Sequence, residues 1–325
     1  MKTSTLLKPW SSLFLATFCL VASPQAEPFT VKEDADTLTI RRGTQEVLVY
    51  RKTALPLPKG VNPVFARTGY IHPLKTPAGG VVTSVYAPDH YHHLGLWHAW
   101  VKTHHGAREL DFWNIGGKTA GMRYDQTMAQ SEGADSAGFT VAQSQYACDP
   151  ATGEPAETIL DEQLTVTVQD AGDAYLVDYD FTQTNVTTAP LELAAYRYGG
   201  GIAYRGPLHW NKDNSRILTS AGHRRADGHA TRARWVEMSG DLDTGRGGVV
   251  ILCHERNQDA PQHVRLWDDG KVFFNYVPAQ EHAFSVAPGE TVRARYRVVA
   301  FDGELPVERI DALWKAYVQD SATLH

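Results

Sequence analysis

The sequence has few cysteines, little net charge and no long apolar run. It contains three cysteines among 325 residues, and its formal net charge is −6. No basic stretch could neutralise several phosphates, so we expect no nucleic-acid partner. No segment after the N-terminus reaches the roughly 18 apolar residues of a membrane-spanning helix, so we expect no span. The spacing of Cys148 and Cys253 leaves open whether they form a disulfide or two separate buried thiols.

The N-terminal residues have the pattern of an export signal. Lys2 and Lys8 precede an apolar run over residues 12–22, and Ala26 lies at a suitable cleavage site. We therefore expect a signal peptide over residues 1–26 and a periplasmic or secreted mature protein.

Most of the chain has the pattern of β-strands. Apolar and polar residues alternate on both sides of the turn at residues 42–44, which predicts a hairpin with one buried face. The alternating segments are Thr37–Ile40, Glu46–Arg51, Phe139–Cys148, Gln163–Val168, Tyr175–Phe181, Gly248–Cys253, Lys271–Tyr276 and Thr291–Phe301. Many short strands with almost no helix predict antiparallel sheets packed face to face.

One α-helix is predicted, at the C-terminal end. Pro306 suits the first turn of a helix. An apolar stripe at helical spacing follows, made by Ile310, Leu313, Trp314 and Tyr317. No repeat or linker separates two domains. We expect residues 27–325 to form a single all-β domain, a large antiparallel β-sandwich with this helix and with long loops at one rim, over residues 73–103 and 211–234.

Half of the fourteen histidines lie within residues 72–105. The densest part reads DHYHHLGLWHAW. If its start is extended, His90 and His92 project from one face, where they could share a divalent metal ion with His98, and His93 projects from the other. No cysteine and no helical His-Glu-x-x-His pattern accompanies these histidines, so their spacing does not identify a metal.

Acid/base catalysis is the alternative function for the same segment. Imidazole has the side-chain pKa nearest neutrality, so His92 and His93 could transfer protons or stabilise an oxyanion. Tryptophans close in sequence could stack on the faces of a sugar ring; these are Trp97, Trp100 and Trp113. Each histidine alone is more simply a hydrogen-bonded loop residue, and it is the cluster that favours chemistry.

The sequence contains four distinctive motifs: RTGYIHPLKTPAGGVVTSVYAPDHYHHLGLWHAW followed by DFW, then WVEMSG, HERNQDAPQHVRLW and APGETVRARYRVVAFDG. Together they resemble the PmoA-like family, a family of unknown function whose label refers to methane oxygenase. Glu237 stands where the family more often has Asp, and Tyr91 where it commonly has Pro. A true methane monooxygenase subunit is an integral membrane protein, so the label does not define the function. The last motif is also similar to the final strand of galactose-mutarotase-like proteins, which implies a supersandwich-like fold with a sugar groove.

Three later segments could bring polar groups to the histidines. In AYRYGGGIAY, Arg197 lies between two tyrosines and before three glycines, which imply close backbone approach or a bend. Glu237 is the leading carboxylate for a general base or a metal ligand. His263 and Arg265 share one face if their segment is extended, and Asn257 precedes them.

These patterns predict an exported carbohydrate-active enzyme that acts on a glycoside or a modified sugar by hydrolysis, elimination or epimerisation. The predicted catalytic residues are His92, His93, Glu237, Arg67 and Arg197. The predicted substrate-binding residues are His72, Trp97, Trp100, Trp113, Asn257, His263 and Arg265. A second interpretation is a non-catalytic glycan-binding module, and a third is an oxidoreductase with histidine-bound copper or iron. The first interpretation requires the predicted groups to face one solvent-accessible hollow.

Overall fold

The computed structural model describes Met1 and residues 27–320. The rest of the predicted signal peptide lies outside the described residues. Within them the chain forms 22 β-strands, one short 3-10 helix at Pro63–Phe65, and one α-helix, α1, at Val307–Asp320. In chain order the strands are β1 Phe29–Glu33, β2 Thr37–Arg42, β3 Gln45–Arg51, β4 Tyr70–Leu74, β5 Val85–Ala87, β6 His90–Leu94, β7 Leu96–Trp97, β8 Thr103–His105, β9 Arg108–Leu110, β10 Ala120–Ser131, β11 Ser136–Cys148, β12 Pro155–Asp170, β13 Ala174–Asn185, β14 Leu191–Leu193, β15 Ala203–Arg205, β16 Ser215–Thr219, β17 Trp235–Leu242, β18 Gly245–Cys253, β19 His263–Leu266, β20 Phe273–Val277, β21 Phe284–Val286 and β22 Thr291–Asp302.

Two eight-stranded sheets form a sandwich. The first has the order β1-β2-β3-β4-β7-β15-β20-β19, and the second has the order β10-β11-β12-β13-β22-β18-β17-β16. Neighbouring strands run antiparallel, as in the predicted hairpin of β2 and β3. Alternation along β13 directs Val177, Tyr179 and Phe181 into the main core between the sheets. Full burial of each such aliphatic or aromatic side chain contributes about 1.5–3 kcal/mol. The predicted all-β sandwich is confirmed.

The C-terminal helix covers the outer face of the second sheet. All four residues of its predicted apolar stripe pack against this face: Ile310, Leu313, Trp314 and Tyr317. Strands β18 and β22 are therefore buried on both faces, with Ile251 in the main core and Leu252 under the helix. The indole Nε1 of Trp235 donates to Asp311 Oδ1 at 2.8 Å and fixes the helix to β17. This helix is the predicted one.

Smaller sheets and turns complete the fold beside the first large sheet. Strands β5 and β6 form a two-stranded hairpin, and β21-β14-β8-β9 form a four-stranded sheet. The long loop predicted over residues 73–103 is thus divided into short strands. Cys148 and Cys253 are both buried and free, so the disulfide alternative is not formed. Among the described helices, none combines the length and the apolarity that crossing a membrane requires.

Candidate active site

The histidine-rich segment forms the hairpin of β5 and β6. The two strands pair only at Val85 with Leu94 and at Ala87 with His90, with an irregularity between these positions. Gly95 follows with a φ of +64°, and a Cβ at this position would lie 2.2 Å from the carbonyl oxygen of Ile71. Only glycine tolerates this combination of backbone angle and close approach. The turn therefore sets the hairpin against the first sheet.

Three imidazoles of β6 lie together. The ring of His93 stacks on His90 with centroids 4.7 Å apart, and His92 meets His93 edge-on, also at 4.7 Å. The expectation that His93 points to the opposite face is wrong. With only two paired positions and an irregular register, this short strand does not impose a strict two-residue alternation.

The three histidines line one wall of a cleft with two parts. We call the deeper part the inner cleft; its volume is about 100 Å³. It is lined by His90, His92, His93, Trp113, Asn114, Arg197, Tyr198, Arg265, Trp267 and Phe273. The wider part, the outer cleft, has a volume of about 460 Å³ and shares His90, Arg265 and Trp267 with the inner cleft. The remaining lining of the outer cleft is Arg225, Ala226, Asp227, His229, Leu266, Asp268, Asp269 and Lys271. The structure thus brings six predicted residues to one hollow: His90, His92, His93, Arg197, Arg265 and Trp113.

A hydrogen-bond network orients two of the imidazoles. His90 Nδ1 lies 3.1 Å from Asp89 Oδ2, and the other oxygen of Asp89 accepts from Arg205 Nη2 at 2.8 Å. Arg205 Nη1 approaches His93 Nδ1 at 3.3 Å. Since a guanidinium only donates and a carboxylate only accepts, Nδ1 is the acceptor in His93 and the donor in His90. Nε2 therefore carries the hydrogen in neutral His93, whereas Nε2 of His90 has a free lone pair.

Burial controls the charge states in this network. It lowers the pKa of His93 well below its usual value, with further lowering by His92 and Arg205. It also lowers the pKa of His92 to about 3, with His90 and Arg67 as smaller causes. Burial by itself would raise the pKa of Asp89, but Arg205 and the hydrogen bond from His90 hold it below its usual value. Near neutral pH, the wall therefore presents neutral His92 and His93 beside an ionised carboxylate.

Aromatic rings surround the histidines, but only some of them face the cleft. Trp267, which is half-buried, lies 4.7 Å from His90 and 4.6 Å from Phe273 between ring centroids. Phe273, which also lines the inner cleft, stacks on His93 at 4.5 Å. Trp97 is fully buried and packs 5.2 Å from His93, so it supports the histidine and cannot stack on a ligand. Among the aromatic side chains described in the inner cleft, Trp267 and Tyr198 are half-buried, and sequence reasoning selected neither of them.

Glu237 does not reach the cleft. Its neighbours Val236 and Met238 point into the main core, whereas Trp235 packs under α1 on the outer face. Glu237 shares the face of Trp235, since side chains two residues apart on a strand project together. It is buried there in an ion pair with Arg216. The prediction that Glu237 is the opposing base is therefore wrong.

The predicted metal ligands are not assembled either. His98 is fully buried, and both its ring nitrogens are occupied: Nδ1 by the hydroxyl of Tyr179 at 2.9 Å and Nε2 by Glu162 Oε2 at 2.8 Å. It cannot share an ion with His90 and His92, so this ligand set is wrong. In the part of the chain that the structure describes, no group of three His, Cys, Asp or Glu side chains is placed to hold a metal ion.

Five further predicted residues lie away from the cleft lining and have structural contacts. Arg67 is buried and donates to the carbonyl oxygens of Phe112 and His98 at 3.2 and 3.1 Å. The other four contacts join His72 to Thr83, Trp100 to Gln183, Asn257 to Arg295, and His263 to Glu281. Each pair links two segments that are distant in sequence or stabilises a turn. The predictions that these residues bind substrate or act on it are not supported by their positions.

Sequence reasoning missed several residues of the cleft as functional groups. Asp89 directly precedes His90, so its role as a partner of that imidazole had a local signal. Arg205 and Tyr198 flank the predicted glycine bend, where Gly200 has a φ of +86° and lies against the ring of Trp100. Trp267 closes the motif that contains Arg265. No local pattern indicated Asn114, whose amide pairs with the Tyr198 hydroxyl at 3.1 Å.

The comparisons with known proteins identify a family. The model of a family of unknown function, DUF6807, matches residues 37–315. The chain therefore belongs to this family. The description of the family does not carry the PmoA label, so that part of the resemblance is not confirmed. No curated protein matches the chain.

Distant likenesses to solved structures were also found. A polysaccharide lyase is 12% identical with a TM-score of 0.37; the match covers 78% of this chain, which spans only 33% of the lyase. A galactose mutarotase-like protein from Lactobacillus casei is 11% identical with a TM-score of 0.33, and the match covers 84% of this chain and 99% of that one. A GH36 α-galactosidase from Geobacillus stearothermophilus is 11% identical with a TM-score of 0.32, over 85% of this chain and 41% of that one.

Proposed function

We propose that this member of DUF6807 is an exported carbohydrate-active enzyme that transfers protons with the histidines of the inner cleft. One observation carries the proposal. His90 and His93 lie in one cleft wall, and Asp89 leaves Nε2 of His90 free to accept a proton, whereas Arg205 leaves the N–H of His93 Nε2 free to donate a hydrogen bond. A general base next to a hydrogen-bond donor can remove a proton and stabilise the negative charge that develops on the substrate. Trp267 supplies a flat apolar surface for a sugar ring in the same cleft.

His90 is the general base in this proposal. Asp89 accepts from Nδ1, which orients the ring and stabilises the imidazolium that forms when Nε2 takes a proton. The half-buried position of His90 lets this nitrogen reach a ligand in either part of the cleft. The same arrangement of nucleophile-activating base and orienting carboxylate recurs on unrelated folds.

His93 is the hydrogen-bond donor. Its neutral state is favoured by burial, and Arg205 fixes the tautomer in which Nε2 carries the hydrogen. A donor held rigidly between two rings stabilises an oxygen on which negative charge develops, with little reorganisation.

The inner cleft favours proton abstraction over hydrolysis by two carboxylates. Glycoside hydrolysis most often needs a pair of Asp or Glu side chains on either side of the bond. Among its described lining residues the inner cleft has neither Asp nor Glu. Elimination and epimerisation instead begin when one base removes a proton from carbon. In elimination the electron pair then expels the β-oxygen, which leaves as an alcohol with a proton from the imidazolium; in epimerisation water returns a proton to the opposite face of the carbon. We therefore place the reaction in one of these two classes.

Turnover of a panel of neutral and acidic oligosaccharides by the purified mature chain tests the proposal. His90→Gln is expected to lower kcat by about 100-fold or more, because the general base is lost. His282→Gln, at an exposed histidine outside the cleft, is the matched control and should retain wild-type kcat. Circular dichroism confirms that both variants are folded.

Two results would count against an enzyme with this mechanism. If the His90 and His282 variants turn over substrate equally well, His90 is not the base. If the wild-type chain binds oligosaccharides of the panel but releases no product from any of them, the chain is a glycan-binding module.

A further inference from the structure

We propose that the inner cleft selects sugars that bear an anionic oxygen group, either a carboxylate or a sulfate ester. Arg197 and Arg265 jointly bind this group. The inference deepens the proposed function, because it names the substrate class of the same cleft and depends on that cleft binding a sugar. It is carried by the placement and the missing partners of the two guanidinium groups.

Arg197 and Arg265 both line the inner cleft, yet neither has an anionic partner. Among the described residues, no carboxylate lies within 4.0 Å of either guanidinium, and the side chain of Arg197 makes no hydrogen bond. The one hydrogen bond of Arg265 runs from Nη1 to Nε2 of His229 at 2.9 Å, so its other donors are free. Two positively charged groups are thus presented to the cleft with most of their hydrogen-bonding capacity unused.

Arg225 shows that a missing carboxylate alone is not the signal. It lines the outer cleft and has no ion pair either, but its guanidinium donates to the carbonyl oxygens of Gly270 and Lys271 at 3.0 Å and to Ser215 Oγ at 2.7 Å. Its donors hold a loop in place. Arg197 and Arg265 have no comparable structural task.

The two guanidiniums are close enough to repel each other. Burial lowers the pKa of Arg265, and Arg197 is the next cause of that lowering. Burial also lowers the pKa of His229, followed by the charges of Arg265 and Arg197. Like charges gathered at one wall raise the local potential and attract an anion. In the free protein this arrangement is unfavourable, which is expected of a recognition site and not of a stabilising contact.

The surroundings orient Arg197 for planar recognition. Its guanidinium carbon lies 5.9 Å from the ring centre of Tyr196 and 5.8 Å from that of Tyr198. Contacts with aromatic rings limit the motion of a guanidinium while leaving its N–H groups free. Arginine binds carboxylate and sulfate oxygens with two parallel hydrogen bonds. A sugar stacked on Trp267 would place a ring substituent between these arginines and His90, which line the same cleft.

Binding measurements that do not depend on turnover test this inference. The ligands are oligomers of galacturonate, glucuronate and mannuronate, their methyl esters, and sulfated and unsulfated dextran oligomers. Isothermal titration at a fixed physiological ionic strength compares the wild-type chain with Arg197→Gln, Arg265→Gln and Arg246→Gln. Arg246 is an exposed arginine of β18 that forms an ion pair with Asp241. Its variant therefore removes one positive charge at a site outside the cleft.

The expected result is a preference for at least one acidic sugar over its ester by tenfold or more. Arg197→Gln and Arg265→Gln should each weaken binding of the acidic sugar by about tenfold and leave the affinity for its ester unchanged. Arg246→Gln should change neither affinity. Preference for uronates identifies a carboxylate, and preference for sulfated dextran alone identifies a sulfate. Either preference without turnover supports oxyanion binding and contradicts the enzyme.

The inference is overturned if no anionic sugar of the panel binds more tightly than its neutral counterpart. An equal loss of affinity for the acidic sugar and for its ester in the Arg197 and Arg265 variants would also overturn it, because the arginines would then contact the sugar ring and not the charged group. Turnover of neutral sugars alone would leave the proposed enzyme intact and contradict this substrate class.

Discussion

Two histidine-containing clusters of polar groups in this molecule differ in whether both ring nitrogens of their histidines are hydrogen-bonded. In the sandwich interior, Glu162 Oε2 accepts from His98, Gln145 and Gln183 at 2.8, 3.0 and 2.7 Å. His98 uses both ring nitrogens. In the inner cleft, by contrast, His90 and His93 each use one nitrogen, and the guanidiniums of Arg197 and Arg265 have no carboxylate partner among the described residues. Buried polar groups that satisfy one another stabilise a fold, whereas groups left with free donors and acceptors can bind and react.

The sharpest way to test this contrast is to break the interior network. Glu162→Ala leaves His98 and three buried glutamines, Gln143, Gln145 and Gln183, without this acceptor, and we expect the free energy of unfolding to fall by about 3–5 kcal/mol. Glu109→Ala, at an exposed glutamate of β9, is the control and should change it by less than about 0.5 kcal/mol. Urea denaturation measures both. A loss below 1 kcal/mol for Glu162→Ala would mean that the network contributes little to stability.

The residue that joins structure and chemistry in the cleft is Arg205. Its side chain is 3% exposed and donates to Asp89 and His93. Arg205→Met removes a charge-assisted hydrogen bond, so we expect a loss of about 2 kcal/mol of stability. Turnover should fall as well, because the tautomer of His93 is no longer fixed. Denaturation and steady-state kinetics would separate the effects, and unchanged kcat in a destabilised variant would limit Arg205 to a structural role.

The fold was largely predictable because its strands and helix are amphipathic. Alternation located β11, β12, β13 and β22, and helical spacing located the stripe of α1 that the structure places on the second sheet. Local patterns indicate which side chains share a face. They do not say what covers that face. This is why Glu237 was placed wrongly: its face of β17 lies under the helix and not beside the cleft.

The candidate site was predictable only where its residues are close in sequence. The histidine cluster and the glycine bend after Arg197 are local features. The assignment of His98 depends on Glu162, which is 64 residues away and comes from the opposite sheet. Burial of Trp97 and Trp100 likewise depends on tertiary packing. A histidine or tryptophan in a functional motif therefore belongs to the site or to its support according to contacts that periodicity does not encode.

The pH dependence of stability distinguishes His92 of the inner cleft from an ordinary surface histidine. His92 has a pKa of about 3 in the folded chain, against a usual value of 6.5. Below pH 6.5 the unfolded chain binds a proton that the folded chain does not, so stability falls as the pH falls. Between pH 6 and pH 5 we expect this residue to account for a loss of about 1 kcal/mol.

Replacing His92 by Gln measures that contribution. The free energy of unfolding of the variant should fall by about 1 kcal/mol less than that of the wild type over the same pH interval, because contributions of the other histidines cancel in the difference. Urea denaturation at each pH gives both values. Parallel curves for the two proteins would show that His92 titrates normally in the folded state.

The smallest expected effect is on the stability of the free chain when Arg197 is replaced. Arg197→Gln removes an exposed charge that has no carboxylate partner and is repelled by Arg265, so we expect the free energy of unfolding to change by no more than about 0.5 kcal/mol, in the direction of greater stability. A loss above 1 kcal/mol would give Arg197 a structural role like that of Arg225.

With an acidic sugar at 100 times its Kd for the wild type, the wild type should become the more stable of the two proteins, because it gains about 2.7 kcal/mol from binding and the Arg197 variant gains less. Thermal unfolding with and without the ligand measures this reversal, which a purely structural arginine would not produce.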